Sequence, residues 1–287
     1  MSASTRYSHL VQAAELRALL QTDAQVRLVD VRFSLTDPLL GRRRYEAGHL
    51  PGAVYLSLDD DLSGPVREHG GRHPLPDTAR FAQTLGACGI GNDTHVVAYD
   101  DAAGGGMFAA RLWWLLRYVG HDQVQVLDGG LDAWTAAGLE LTRDVPTYPP
   151  ATFTPAVRPE MVADMQEVRS KLRRPGVLLL DARAPERYRG EVEPLDKRAG
   201  HIPGARNRPF MGNLEGGRFK PAEALRARFA DVEAADETIL YCGSGVSAAH
   251  NALALEEAGL RGAKLYVGSW SDWSSFEENP VATGEEA

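Results

Sequence analysis

Short, mostly apolar runs recur along the chain and mark strands, and Thr238 to Tyr241, which has no polar alternation, suits the centre of a sheet covered on both faces. The runs fall at Val26 to Val31, His95 to Tyr99, Val124 to Leu127, Val177 to Leu180 and Thr238 to Tyr241. Between them, apolar residues return at helical spacing. Leu10, Ala13, Ala14 and Leu16 share one face of a helix that Ser8 can cap and that runs to Leu20. A helix follows Asp77, and Met107 to Tyr118 is strongly apolar. Further helices are expected over Met161 to Leu172 and Pro221 to Phe229. Strands alternating with helices predict an α/β fold, with parallel sheets flanked by helices.

The pattern occurs twice in the same order. Val29 to Arg32 (VDVR) matches Leu180 to Arg183 (LDAR), and Ala47 to Ala53 (AGHLPGA) matches Ala199 to Ala205 (AGHIPGA). Val97 to Asp100 (VAYD) matches Ile239 to Cys242 (ILYC), and Leu127 to Trp134 matches Tyr266 to Trp273. Two tandem copies of one domain are therefore expected, over residues 1–141 and 160–287. The segment 142–159 holds Pro146, Pro149, Pro150, Pro155 and Pro159, and reads as an extended linker wrapped on the surface. In the first copy Asp100 stands where the second has Cys242, so the first is expected to be inactive in thiol chemistry. His49 and His201 sit in Gly-His…Pro-Gly turn sequences without ligand partners at zinc spacing, and are expected to bond backbone.

Composition narrows the function. Net charge is −8, which disfavours nucleic acid or an anionic membrane as a general partner. Arg42 to Arg44 is too short a basic run to change that and reads as a solvated loop. No apolar run approaches the ~20 residues that span a bilayer. The N-terminus lacks a basic segment followed by an apolar one, so no signal peptide is expected. The two cysteines, Cys88 and Cys242, give no disulfide framework, which fits a reducing cytoplasm. Cys88 ends a helical pattern and reads as a packing residue.

Cys242 has a different setting. It ends a buried strand and opens a loop containing Gly243, Ser244, Gly245, Val246 and Ser247, with a helix expected from Ala248 and Ser247 as its N-cap. Backbone N–H groups of such a loop and the positive end of the helix favour an anion at its centre. A cysteine there is expected to be held as its thiolate and to be reactive at neutral pH.

The stretch Cys242 to Ala248 (CGSGVSA) resembles the active-site loop of the rhodanese superfamily, and most closely the CGSGVT-type loop of its 3-mercaptopyruvate sulfurtransferases. The resemblance implies two small α/β domains, an inactive first copy and an active site at their interface. It implies that Cys242 carries the sulfur as a persulfide and that Gly243, Gly245, Val246 and Ser247 line the substrate site. By the same resemblance Arg187, in DARAPERYRG, holds the substrate carboxylate, which a guanidinium grips with two parallel hydrogen bonds. Arg183 is a substrate-binding candidate or a structural arginine paired to Asp181 or to the turn. The family's second carboxylate-binding arginine has no clean counterpart, and Lys197 or Arg198 could substitute. A Ser–His–Asp relay is implied at Ser244, His73 and Asp59, with Asp60 and Asp61 beside the last.

The loop's side chains are neutral, which suits a monocarboxylate donor better than the thiosulfate dianion. Ala248 and Ala249 stand where related phosphatases end a comparable loop with arginine, so phosphate-ester chemistry lacks its cation. The leading expectation is transfer of sulfur from 3-mercaptopyruvate to cyanide, a small thiol or a thioredoxin-like protein, without metal or organic cofactor. The alternatives are a thiosulfate sulfurtransferase and, in another class, a persulfide carrier or interaction module. The expected relay argues for the enzyme, because a carrier needs no proton transfer.

Overall fold

The computed structural model describes residues 8–22, 25–101 and 104–285. The first half runs β1 (Leu10–Val11), α1 (Ala13–Thr22), β2 (Val26–Asp30), α2 (Leu40–Ala47), β3 (Ala53–Tyr55), α3 (Thr78–Ala87), β4 (His95–Tyr99), α4 (Met107–Tyr118), β5 (Val124–Leu127) and α5 (Gly130–Ala136). Its strands form one parallel sheet in the order β1-β5-β4-β2-β3.

The second half runs β6 (Val162–Ala163), α6 (Met165–Ser170), β7 (Val177–Asp181), α7 (Pro185–Tyr188), β8 (Arg206–Asn207), β9 (Leu214–Glu215), β10 (Arg218–Phe219), α8 (Ala222–Arg228), α9 (Ala230–Glu233), β11 (Glu237–Tyr241), α10 (Ser247–Ala258), β12 (Lys264–Tyr266) and α11 (Ser269–Trp273). Its sheet, β6-β12-β11-β7-β8, is parallel and repeats the first order copy for copy. The antiparallel hairpin β9–β10 is an addition of the second half.

The central strands β4 and β11 are buried beyond their first residues, which explains their continuous apolar runs. Helix α4 is apolar nearly all round because one side covers its own sheet and another packs on α10. Residues of α4, β4, α10 and β11 share one continuous core, so the two domains are joined through apolar packing.

Three expectations are corrected. Leu10 and Val11 pair with Val126 and Leu127, and the helix begins only at Ala13. The Ser8 hydroxyl bonds the Leu10 carbonyl instead of capping. Met161 to Leu172 likewise splits, because Val162 and Ala163 pair with β12 before α6 starts. In both places the backbone groups of a sheet edge gain partners that a longer helix would forgo. Arg42 to Arg44 lie in α2 rather than in a loop.

The segment 142–159 runs extended along the first domain. The Tyr148 hydroxyl donates to the Gly52 carbonyl at 2.7 Å, and the Arg27 guanidinium lies over the Tyr148 ring at 3.3 Å. Buried His49 and His201 bond the backbone carbonyls of Tyr45 and Tyr188 through Nδ1, at 2.7 and 2.8 Å. Their rings stack on the same two tyrosines. Among the described residues no helix is long and apolar enough to cross a membrane.

Candidate active site

Cys242 directly follows β11 and is 2% exposed. The chain turns back at Gly245 with φ +76°, and the Gly245 N–H donates to Cys242 Sγ at 3.1 Å. A side chain at Gly245 would approach the Val267 carbonyl to 2.6 Å, so this turn needs glycine. Helix α11 locks the loop from outside. Ser269 Oγ accepts the Cys242 N–H, while the Trp270 and Ser271 N–H groups donate to the Cys242 and Gly243 carbonyls.

The expected cap at Ser247 is not made. Ser247 is the first residue of α10, Val246 precedes it in helical conformation, and no side chain caps the helix. The positive end of α10 is thus left unneutralised beside the thiol. Val246 is buried and Ser247 is partly exposed.

The first domain supplies the next layer. His73 Nδ1 lies 2.7 Å from Ser244 Oγ, and its Nε2 lies 3.3 Å from Asp59 Oδ1. Asp61 faces elsewhere and accepts the Ser57 N–H at 2.8 Å. Burial lowers the His73 pKa, Asp59 opposes the shift, and Arg111 and Arg72 add to it. A neutral imidazole that gives its Nε2–H to Asp59 can accept the Ser244 hydroxyl at Nδ1.

Two guanidiniums flank Gly243. A Cβ built there would lie 3.0 Å from Arg72 Nη2 and 3.4 Å from Arg187 Nη1. Arg187 pairs with Glu193 at 2.7 Å and Asp196 at 3.1 Å, and Arg72 pairs with Asp196. Arg183 has its partners within the protein, as the structural reading of it expects. It grips both oxygens of Asp181, bonds the Gly200 carbonyl at 2.6 Å and reaches Glu193 at 3.2 Å. Arg32 does the same in the first domain with Asp30 and the Gly48 carbonyl. Each is the structural alternative, a tie between a strand end and the Gly-His turn. Arg198 donates to the carbonyls of Phe276 and Asn279. Arg72, rather than Lys197 or Arg198, stands beside Arg187.

Arg72 and Arg111 are absent from the sequence-based set. The signal for Arg72 is its adjacency to His73; that for Arg111 is a charge set among apolar residues on both sides in a helix whose other arginine, Arg117, lies in its last turn. Arg111 Nη1 donates to the Gly245 carbonyl at 3.2 Å and Nη2 to the His73 carbonyl at 3.0 Å. Among the described residues no group of three or more His, Cys, Asp or Glu is arranged to hold a metal.

The doubled α/β domain is what known proteins share with this chain. The rhodanese-like domain model matches residues 12–137 and again 164–276, and the chain belongs to that family. A Pseudomonas aeruginosa protein named "Probable 3-mercaptopyruvate sulfurtransferase" is 47% identical over 97% of this chain and 99% of its own. A Mycobacterium tuberculosis protein provisionally named thiosulfate sulfurtransferase is 43% identical over 96% and 97%. The solved 3-mercaptopyruvate sulfurtransferase from Leishmania major superposes with a TM-score of 0.83 at 32% identity, over 98% of this chain and 78% of that one.

Proposed function

We propose that this sulfurtransferase takes the sulfur of 3-mercaptopyruvate onto Cys242 and passes it on from a Cys242 persulfide. The carrying observation is one thiol cradled by the Gly245 N–H, with two arginines on one side and the His73–Ser244 pair on the other. The substrate carboxylate lies between Arg72 and Arg187, which places its thiol over Cys242. The thiolate bonds the substrate sulfur as the carbon–sulfur bond breaks, and that electron pair leaves on pyruvate as its enolate. The proton carried by the substrate thiol is the one the enolate needs. Ser244 hands it across with His73 as the base and Asp59 orienting the ring. Cys242 is left as an ionised persulfide.

The acceptor is a thiophile: cyanide, a small thiol or a thioredoxin-like protein in the cytoplasm. Thiosulfate is the second reading, favoured by the name of the mycobacterial relative. Charge balance favours mercaptopyruvate, because the rim cations Arg72 and Arg187 are already matched by Glu193 and Asp196 and leave no surplus for a dianion. Steady-state comparison of the two donors decides between them, with higher kcat/KM expected for mercaptopyruvate. Intact mass after brief exposure to that donor is expected to show one added sulfur on the wild type and none on Cys242→Ser. Pyruvate release from an unmodified protein rejects the mechanism.

A further inference from the structure

A guanidinium buried without a carboxylate is costly, because nothing nearby offsets the loss of its hydration. Arg111 is in that state. It is fully buried, and among the described residues no Asp or Glu forms an ion pair with it. Its two hydrogen bonds go to carbonyls on opposite sides of the domain boundary, Gly245 at 3.2 Å and His73 at 3.0 Å, and its Nε–H has no acceptor. Gly245 is also the residue whose N–H rests on Cys242 Sγ.

The other charges facing the loop have partners. Arg72 and Arg187 meet Asp196 and Glu193, Arg183 meets Asp181 and Glu193, and His73 is buried against Asp59. That leaves one unmatched cation and one group able to become an anion, a single residue apart.

We propose that Arg111, sent by the first domain into the second, is the counter-charge of the Cys242 thiolate and a positioning residue of the reaction. Its charge favours the ionised thiol. Its fork ties the turn that cradles sulfur to the backbone of His73, so cradle and relay close together. Burial draws the Arg111 pKa down to about 10, and negative charge on Cys242 acts against that fall. The first domain gives the contrast. There Asp100 receives the N–H groups of Gly106, Phe108 and Ala109, yet burial lifts its carboxyl to about 7. The three amides act against that rise and the neighbouring Asp101 adds to it.

The inference rests on Cys242 being the sulfur-carrying thiol, and its test uses no sulfur donor. Full-length wild type, Arg111→Gln and Arg111→Lys are alkylated with iodoacetamide from pH 5.5 to 9, and the Cys242 peptide is followed by mass. At pH 7 the Gln variant is expected to react at least about tenfold more slowly, because an adjacent opposite charge moves such an equilibrium by 1–3 units. The gap should close near pH 9. The Lys variant, which supplies a point charge without the fork, should react faster than the Gln variant at pH 7. A Gln variant that follows the wild-type profile overturns the proposal. Wild-type Cys242 that reacts no faster than Cys88 at pH 7 overturns the underlying reading as well. If the Gln variant does not fold, Cys242→Asp and Cys242→Asn decide. Arg111 should make the Asp variant melt higher at pH 8, and an equal or lower midpoint refutes the idea.

Discussion

Glu193 and Asp196 already hold Arg187 and Arg72, the two arginines proposed to take the substrate carboxylate. Each carboxylate side chain is only 3% exposed, so the guanidiniums are oriented before substrate arrives. An entering carboxylate competes with Asp196 for the same fork. Arg187→Ala removes a charge-assisted contact worth about 1.5–3 kcal/mol, so kcat/KM for mercaptopyruvate should fall about 10- to 100-fold. Arg72→Ala is expected to cost about as much, and both losses should shrink with a sulfur donor that lacks a carboxylate. Steady-state kinetics with the two donors check this, and a uniform loss on both would mean that neither arginine reads the carboxylate. His73 adds a pH signature. Its pKa is lowered by burial, so the neutral base persists below its usual 6.5 and the acid limb of kcat/KM attributed to it should lie below that value. Asp59→Asn removes a contribution that raises the pKa, and should move the limb lower still. Arg187 was legible because it sits in a motif. Arg72 was not, since residues far apart in sequence meet only when the domains dock.

At the scale of elements, the strand–loop–helix unit is used twice with a different side chain at its centre. In the first copy the Asp100 carboxylate accepts three backbone N–H groups at 2.9 to 3.3 Å. Asp100→Ala therefore orphans buried donors and should destabilise the fold by about 1–3 kcal/mol. Turnover per folded molecule should stay near wild type, because the loop of that copy carries Asp100 in place of a cysteine. Asp100→Asn keeps an acceptor and should cost less. Thermal unfolding and specific activity together test both statements, and loss of turnover in a fully folded Asp100→Ala would contradict an inactive first copy. The central strands were readable as short apolar runs, and α4 as a strongly apolar helix in spite of Arg111 and Arg117. The edge strands β1, β6 and β8 were not, because two residues carry no period and their extended form comes from the neighbour that pairs with them. Ser247 misled for a related reason: its hydroxyl suits an N-cap, but the turn at Gly245 starts the helix one residue early.

The whole molecule is organised by the contact of α4 with α10. The tandem repeat was plain in the sequence. The docking was signalled only by α4 being apolar beyond what one sheet face requires. Through that contact Arg111 reaches the cysteine loop, and in the other direction His250 of α10 reaches the loop before α4. A Cβ at Gly106 would lie 3.6 Å from His250 Nε2. The ring is fully buried, stacks on Phe219 at 4.3 Å between centroids and takes the Asn213 side-chain N–H at 3.1 Å. Burial pulls its pKa down to about 3. Unfolded, the same histidine titrates near 6.5 and binds its proton first. His250 thus contributes stability that is complete above about pH 6.5 and is lost as pH falls toward 3, at about 1.4 kcal/mol per unit. His250→Gln keeps a polar contact and cannot titrate, so its urea midpoint should fall less than that of wild type between pH 7.5 and 5. Parallel curves would place the acid sensitivity elsewhere. Because His73, Arg72 and Arg111 all act across the same interface, loss of mercaptopyruvate turnover at pH values below the His73 limb should track the loss of folded protein, and His250→Gln should move its onset to lower pH.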